Sequence, residues 1–437
     1  MFSYLIFDMQ KVEPNNKPLF FYGFVIVIIG TLGVWASVPG QTLGVSTFTD
    51  PVKDALGLTR DKFSLAYALG TIGSSLLLGI AGKWFDKYGA RKVAFLAALG
   101  LAFSLALSSQ SHVISTFILN VFNSKSYLIP FVVIMFCFFL IRFTGQGVLT
   151  MASRNMIMLW FDKYRGTVNA FSSIAVSLGF SISPLFIDYL IEGNGWQKAW
   201  QILALVLLIM ALVIYVFYRD SPEKMGLKPD GNLVKKNDKA KSDIDRKQFT
   251  KSEALGTRAF WMYSLMLAFN AYFITGLTFN IVSVFDNVGL TKADAISIFV
   301  PMSIISVTTS FIFNAISDFI KLKNLLFTMI LGGVIVSLGL ALLSLPMGYY
   351  LLIIGSGLMG GLFAVLISVT WPRFFGRKNL GAISGVTMQM IVFASALGPW
   401  LFSMSLSFFG GYSAIALAGL IGLGLIAIFS IKADNPQ

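Results

Sequence analysis

The 437-residue sequence predicts an all-α membrane protein of twelve transmembrane helices in two pseudo-symmetric six-helix bundles, with both termini cytoplasmic. Three observations predict it. Hydrophobic residues, 56% of the chain, fall in long blocks, each near the roughly 20 residues a helix needs to cross bilayer hydrocarbon. Lys and Arg gather in alternate gaps between the blocks. Short motifs of the first half recur, in the same order, in the second. Only 12% of residues are charged, against about 25% in soluble domains, and the mean hydropathy is +0.78.

The chain opens on MFSYLIFDMQKVEPNN, whose short apolar stretch is broken by Asp8 and which lacks a basic n-region and a small-residue cleavage site. Residues 1–18 therefore read as a cytoplasmic tail, not a signal peptide. Gly, Pro and charge punctuation places six spans near 19–48, 62–82, 92–109, 127–150, 166–190 and 198–218. Six more lie near 259–285, 294–317, 324–344, 348–370, 381–407 and 411–431. The bundles are thus 19–218 and 259–431, with a short cytoplasmic tail at 432–437. Between them, 219–258 contains KKNDKAKSDIDRKQ, a composition that cannot support a core. It reads as a basic cytoplasmic linker, with anionic lipid headgroups within its reach.

Positive charge fixes the orientation, because short cytoplasmic loops retain Lys and Arg. Of the 33 Lys and Arg residues, this arrangement leaves Lys53, Arg60, Lys62, Lys125, Lys198 and Lys292 outside and Arg142 alone within a span. All others face the cytoplasm.

The same placement disposes of other function classes. A net charge of +13 could serve nucleic acid, but that use needs a solvated basic face with aromatic platforms, and here the charge lies between apolar blocks. The single Cys, Cys137, sits in an apolar run, and the single His, His112, in the outer loop SSQSHVIS. Neither a metal cluster nor a nucleophile with a His partner can be assembled, and GKW lacks the Ser or Thr and the upstream Gly of a phosphate loop. The chain is expected to be no enzyme and to carry no cofactor.

Repetition divides the chain in two. Gly82 and Asp86 before span 3 correspond to Asn314 and Asp318 before span 9; Trp160 and Gly166 correspond to Trp371 and Gly381; Gly179 and Pro184 have Gly398 and Pro399 as counterparts. Duplication on this scale lets two related halves rock about a midplane site.

GKWFDKYGARK, from Gly82 to Lys92, resembles the loop between helices 2 and 3 of the major facilitator superfamily. The resemblance implies that fold and a gating role for Gly82, Asp86, Lys87, Gly89, Arg91 and Lys92, with Gly89 making a tight turn and Asp86 meeting helix ends and basic side chains of the other bundle. The second copy, NAISDFIKLK, keeps Asp318 but has Asn314 and Phe319 where a Gly and a base are expected, which predicts a weaker latch. RFTGQG in span 4 is similar to the family's helix-4 motif; Arg142, Gln146, Thr150 and Ser153 share one helical face. An Arg at the centre of a span costs at least about 2.5 kcal/mol to insert, so it must meet water, a partner or a substrate. Two roles stand open for it: holding polar groups of helix 1 such as Gln41, or binding an anion. GFSISP and SALGP resemble the family's helix-5 motif, but Ser183 replaces an expected Gly, and no antiport follows from them.

RDSPEKMGLKPDG, SEALGTRAFW and TWPRFFGRKNLGAISG look like the oxalate/formate antiporter and monocarboxylate porter branch. That branch commonly reads carboxylates with basic residues in helix 8 or 11, which are missing here, and Asn280 stands where relatives often place a His. The resemblance implies transport of a small organic anion by symport, exchange or uniport; the missing bases leave either a monoanion read by Arg142 with neutral donors or an uncharged substrate, and disfavour a dianion. Candidate substrate-binding residues are Arg142, Gln146, Gln41, Tyr67, Tyr272, Asn280, Trp371 and Gln389. The expected partners are that small anion, the lipid bilayer and a proton or counter-anion, for a monomer in a bacterial cytoplasmic membrane. An exporter of apolar or cationic compounds, or a sensor that kept the fold without flux, are the alternatives.

Overall fold

The computed structural model describes residues 21–231 and 247–437. The 1–18 tail and the middle of the linker lie outside these residues. Among the described residues, twelve helices are long and apolar enough to cross a membrane: Gly23–Ser46, Arg60–Tyr88, Ala90–Ser109, Leu128–Trp160, Arg165–Asn194, Trp196–Phe217, Arg258–Asp286, Lys292–Ser317, Leu322–Ala341, Pro346–Phe375, Leu380–Phe409 and Ser413–Ser430. They are spans 1 to 12 below.

Span 4 departs most from the sequence expectation. It continues ten residues beyond position 150, to Trp160, because MASRNMIMLW is apolar apart from a few polar side chains that the protein itself receives. Arg142 is therefore not the only charge within a span: Arg154 is a second. A further helix, Ser111–Val121, occupies the outer segment read as a loop around His112.

Span 1 is interrupted. Gly23–Ala36 is regular helix, Val38–Gly40 is a tight turn containing Pro39, and helix resumes at Thr42. Opposite the break, span 4 widens into π-type turns over Arg142–Leu149. The two irregularities interlock, since a Cβ on Gly40 would stand 2.7 Å from Gly145 Cα and 2.8 Å from the Ile141 carbonyl oxygen. Small residues permit such approach where lipid supplies no squeezing force.

The halves join through two related crossings, span 2 along span 11 and span 5 along span 8. At the first, a Cβ on Gly82 would collide with the Gly381 carbonyl. Both linker ends dock on the cytoplasmic face and mirror each other. Asp230 accepts from the amides of Asp162 (3.2 Å) and Lys163 (2.9 Å) in the loop before span 5. Gln248 Oε1 accepts from the amides of Arg377 (2.8 Å) and Lys378 (3.1 Å) in the loop before span 11.

A cytoplasm-closed cavity between the halves

A cavity of about 310 Å³ lies between the halves, walled by spans 4, 5, 7, 8 and 10. Its charged group is Arg154. Around it stand Ser173, Ser177 and Ser181, which recur every four residues and so line one face of span 5, together with Asn270, Ser306 and Ser356. Among the described residues, no Asp, Glu or His lines it. Arg154 Nη1 donates to Ser368 Oγ across the halves at 3.4 Å, a long bond. Four buried polar atoms of the lining have no protein partner: Arg154 Nε, Ser173 Oγ, Asn270 Oδ1 and Ser356 Oγ. Buried polar groups are normally satisfied, so this set has spare capacity for a polar ligand.

On the cytoplasmic side the cavity is shut. Asn155 Nδ2 donates to Ser384 Oγ at 2.7 Å, and Asn169 Nδ2 to Asn314 Oδ1 at 2.7 Å and the Ala364 carbonyl at 2.9 Å, all between halves. Below them lie two carboxylate clasps. Asp86 accepts from the amides of Gly381 (2.7 Å) and Ala382 (2.6 Å) at the start of span 11. Asp318 accepts from the amides of Gly166 (2.8 Å) and Thr167 (3.0 Å) at the start of span 5. Each places a negative charge on the unpaired N–H groups and positive dipole end of a helix in the opposite half. Asp318 also receives the Thr167 hydroxyl at 3.1 Å and faces Arg373 at 3.4 Å. The loss of Gly and base from its motif therefore leaves it with more contacts than Asp86, not fewer. Arg377 adds a third tie, donating to the Leu159 carbonyl and pairing with Glu223 at 2.7 Å.

The remaining motif residues serve their own half. Gly89, at φ 86°, lies over the Asp220 carboxylate, which leaves no room for a Cβ; Asp220 accepts from the Arg91 amide at 2.9 Å. Arg91 Nε donates to the Tyr215 carbonyl at 2.6 Å, Lys87 lies 5.1 Å over the Tyr88 ring, and Lys92 lines a lateral groove. Asp86 thus meets a helix end, as its motif suggests, through main-chain amides.

Most candidate substrate residues lie elsewhere. Arg142, 1% exposed, donates from Nη1 to the Gly40 carbonyl at 3.0 Å and sits 5.3 Å from the Tyr67 ring centre. It clamps the broken turn of span 1. Gln41 Nε2 donates to Ser37 Oγ and Thr150 Oγ1, both at 3.0 Å, and Tyr67 donates to Thr42 at 3.0 Å. Ser153 meets the Tyr218 hydroxyl at 2.7 Å, so the stripe running down from Arg142 faces spans 1 and 6. Gln146 Oε1 is buried there without a partner. Asn280 donates to the Gly276 and Pro399 carbonyls and accepts from Ser403, which joins span 7 to span 11. Tyr272 packs against Phe269 and Phe402. Gln389 points toward Gly79 of span 2. Trp371 alone of the eight reaches the floor, in a gap of about 20 Å³ beneath Arg154 that Asn155, Ser384 and Thr387 also line. Sequence reasoning missed Arg154, Asn270 and the serines; the four-residue spacing along span 5 was the available signal.

Comparison with known proteins agrees with this architecture. The chain is 22% identical to the uncharacterized MFS-type transporter YhjX of Escherichia coli over 83% of each chain. Over 42% of this chain and 38% of the other, it is 23% identical to a protein of Cupriavidus necator described as "Probable sulfoacetate transporter SauU". The solved structure of the proton:xylose symporter XylE superposes with a TM-score of 0.68 at 17% identity, covering 94% of each chain. Residues 19–399 match the model of the Major Facilitator Superfamily. An integral, multi-pass helical protein with two interlocked halves around a polar cavity, the chain belongs to the major facilitator superfamily of membrane transporters.

Proposed function

We propose that this transporter moves a small organic anion, a monocarboxylate or compact sulfonate, by rocking residues 19–218 against 259–431 around the Arg154 cavity. The observation that carries the reading is the cavity's charge and donor inventory. One guanidinium stands among hydroxyls and an amide, with no carboxylate to neutralise it and with Nε unpartnered. A buried cation in that setting gains most from an anion able to accept charge-assisted hydrogen bonds. A single positive charge matches a monoanion. The relative described as a sulfoacetate transporter supports the anion class but not the single charge, because sulfoacetate is a dianion at neutral pH. Because the described lining holds no titratable acid, a coupled proton would ride on a carboxylate substrate as the neutral acid; a sulfonate, a strong acid, would move by exchange or uniport, which need none. Arg142 holds the Gly40 carbonyl through Nη1 and leaves Nε and Nη2 buried without a protein partner; it lies outside this cavity, and we assign it the structural one of its two roles.

An apolar cavity of about 490 Å³ beside Leu32, Trp35, Phe186 and Met210 favours the exporter reading less than its size suggests. Its walls all belong to the first half, so rocking of the halves cannot open it alternately to the two sides.

Uptake of the monoanions acetate, lactate and methanesulfonate into proteoliposomes, with dianionic sulfoacetate as the charge control, tests the proposal. Removing a hydrogen bond to a charged group costs about 1.5–3 kcal/mol, which is about 10- to 150-fold in affinity. Arg154→Gln should weaken uptake by that factor. Uptake that survives Arg154→Gln but disappears in Arg142→Gln would return the anion role to Arg142.

A further inference from the structure

Where spans 2 and 11 cross, a lysine of the first half and one on the approach to the second come together, and no acid of the described residues pairs with either. Lys251 opens the short helix Lys251–Leu255, which leads into span 7. It is partly buried, and its Nζ lies 3.8 Å from where a Cβ on Gly79 would stand, a point that Gln389 Oε1 approaches to 3.0 Å. Gly79 is seven residues before Asp86, about 10 Å along the helix, so the ammonium reaches well past the latch. One turn from Gly79 stands Lys83. Burial, and then the neighbouring Lys83 charge, hold the Lys251 pKa below the ordinary lysine value. Among the described residues the nearby carboxylates are committed: Asp86 to the amides of Gly381 and Ala382, Glu253 to Thr250 and Lys247. Trp84 follows Lys83 in span 2, and Trp261 in the first turn of span 7 donates to the carbonyl of Leu255, which ends the Lys251 helix; they are 46% and 41% exposed, and exposed Trp on a membrane protein marks the headgroup level.

We propose that Lys83 and Lys251 hold the phosphate of an anionic phospholipid of the cytoplasmic leaflet, whose chains lie along the apolar surface beside span 2. Two ammonium groups at one crevice repel each other, and a phosphodiester between them turns that repulsion into two attractions. Because Lys83 belongs to the first half and Lys251 to the approach to the second, the lipid ties the halves together where Asp86 already does. Anionic lipid therefore favours the cytoplasm-closed state.

The test uses the purified full chain, titrated with phosphatidylglycerol, phosphatidylcholine or inorganic phosphate and read by native mass spectrometry and thermal unfolding. Phosphatidylglycerol should bind and raise the midpoint, and phosphatidylcholine should not. Lys83→Gln and Lys251→Gln should each weaken phosphatidylglycerol binding about fivefold, and together about thirty-fold. The control Lys321→Gln, on the loop of the second half, should change it less than twofold. High salt should abolish the preference in the unaltered protein, a readout that no folding defect of a variant can confuse. Full binding by the double variant, equal binding of the two lipids, or an equal shift with inorganic phosphate would each overturn the proposal.

Discussion

Neutralising the two clasps together, Asp86→Asn with Asp318→Asn, should release the cytoplasmic side. Each carboxylate accepts two main-chain amides, at 2.6–3.0 Å, from a helix start in the opposite half. Asn keeps one oxygen, so each substitution removes one charge-assisted bond and the attraction of a full charge to the helix dipole. Bonds to charged groups are worth about 1.5–3 kcal/mol and a partly buried charge at a helix end up to about 2. A loss of about 2–3 kcal/mol per site is expected, or about 30- to 150-fold in the balance between closed and open forms. The two sites lie on different crossings but bias the same equilibrium, so their effects should add to about three to four decades. Spin labels at Lys87 and Lys378 would read the opening as a longer cytoplasmic distance by pulsed electron resonance. The double variant should show the long population and each single variant a fraction of it. An unchanged distance distribution in the double variant would refute the clasp reasoning, and Asp318→Asn alone should act at least as strongly as Asp86→Asn.

Gly82→Ala places a methyl against the Gly381 carbonyl, so the same labels should report a shift toward the open form without any change of charge. Arg142→Gln removes the clamp on the Gly40 carbonyl and Gly40→Ala forces span 1 off Gly145; each should cost about 1–3 kcal/mol of stability, seen as a lower thermal midpoint with anion affinity retained. The Thr250 amide, then Lys247 and the Thr250 hydroxyl, hold the Glu253 pKa at about 2. A depressed carboxylate contributes in full above its unfolded pKa and loses that contribution progressively as pH falls from there through the folded value. The midpoint difference between the parent and Glu253→Gln should therefore be full at pH 7, reduced but still present at pH 4, and gone near pH 2; a difference already lost at pH 4 would show an ordinary carboxylate.

The spans were legible because insertion into lipid is decided locally, by apolar length, and eleven of them end within about six residues of their expected limits. The clasps were legible for a similar reason. Asp86 lies in a contiguous motif and sits at a helix end, where its natural partner is the start of another helix. The cavity was not. Arg142 and Arg154 are twelve residues apart on one helix, and both are cations on an apolar segment. Read by charge, Arg154 ended span 4 at 150 and joined the cytoplasmic loop; in the fold the helix runs on to Trp160 and carries it inside. The serines of span 5 offered a periodicity but no indication of which face they would turn.

The sequence by itself determined that this chain spans the membrane twelve times, which side its loops occupy and where it repeats, since hydropathy, the positive-inside bias and short motifs are properties of neighbouring residues. Only the tertiary structure decided which arginine holds helix 1 and which faces the cavity. That choice depends on helix rotation and on contacts across more than a hundred positions of sequence, as between Gly40 and Arg142 or Arg154 and Ser368.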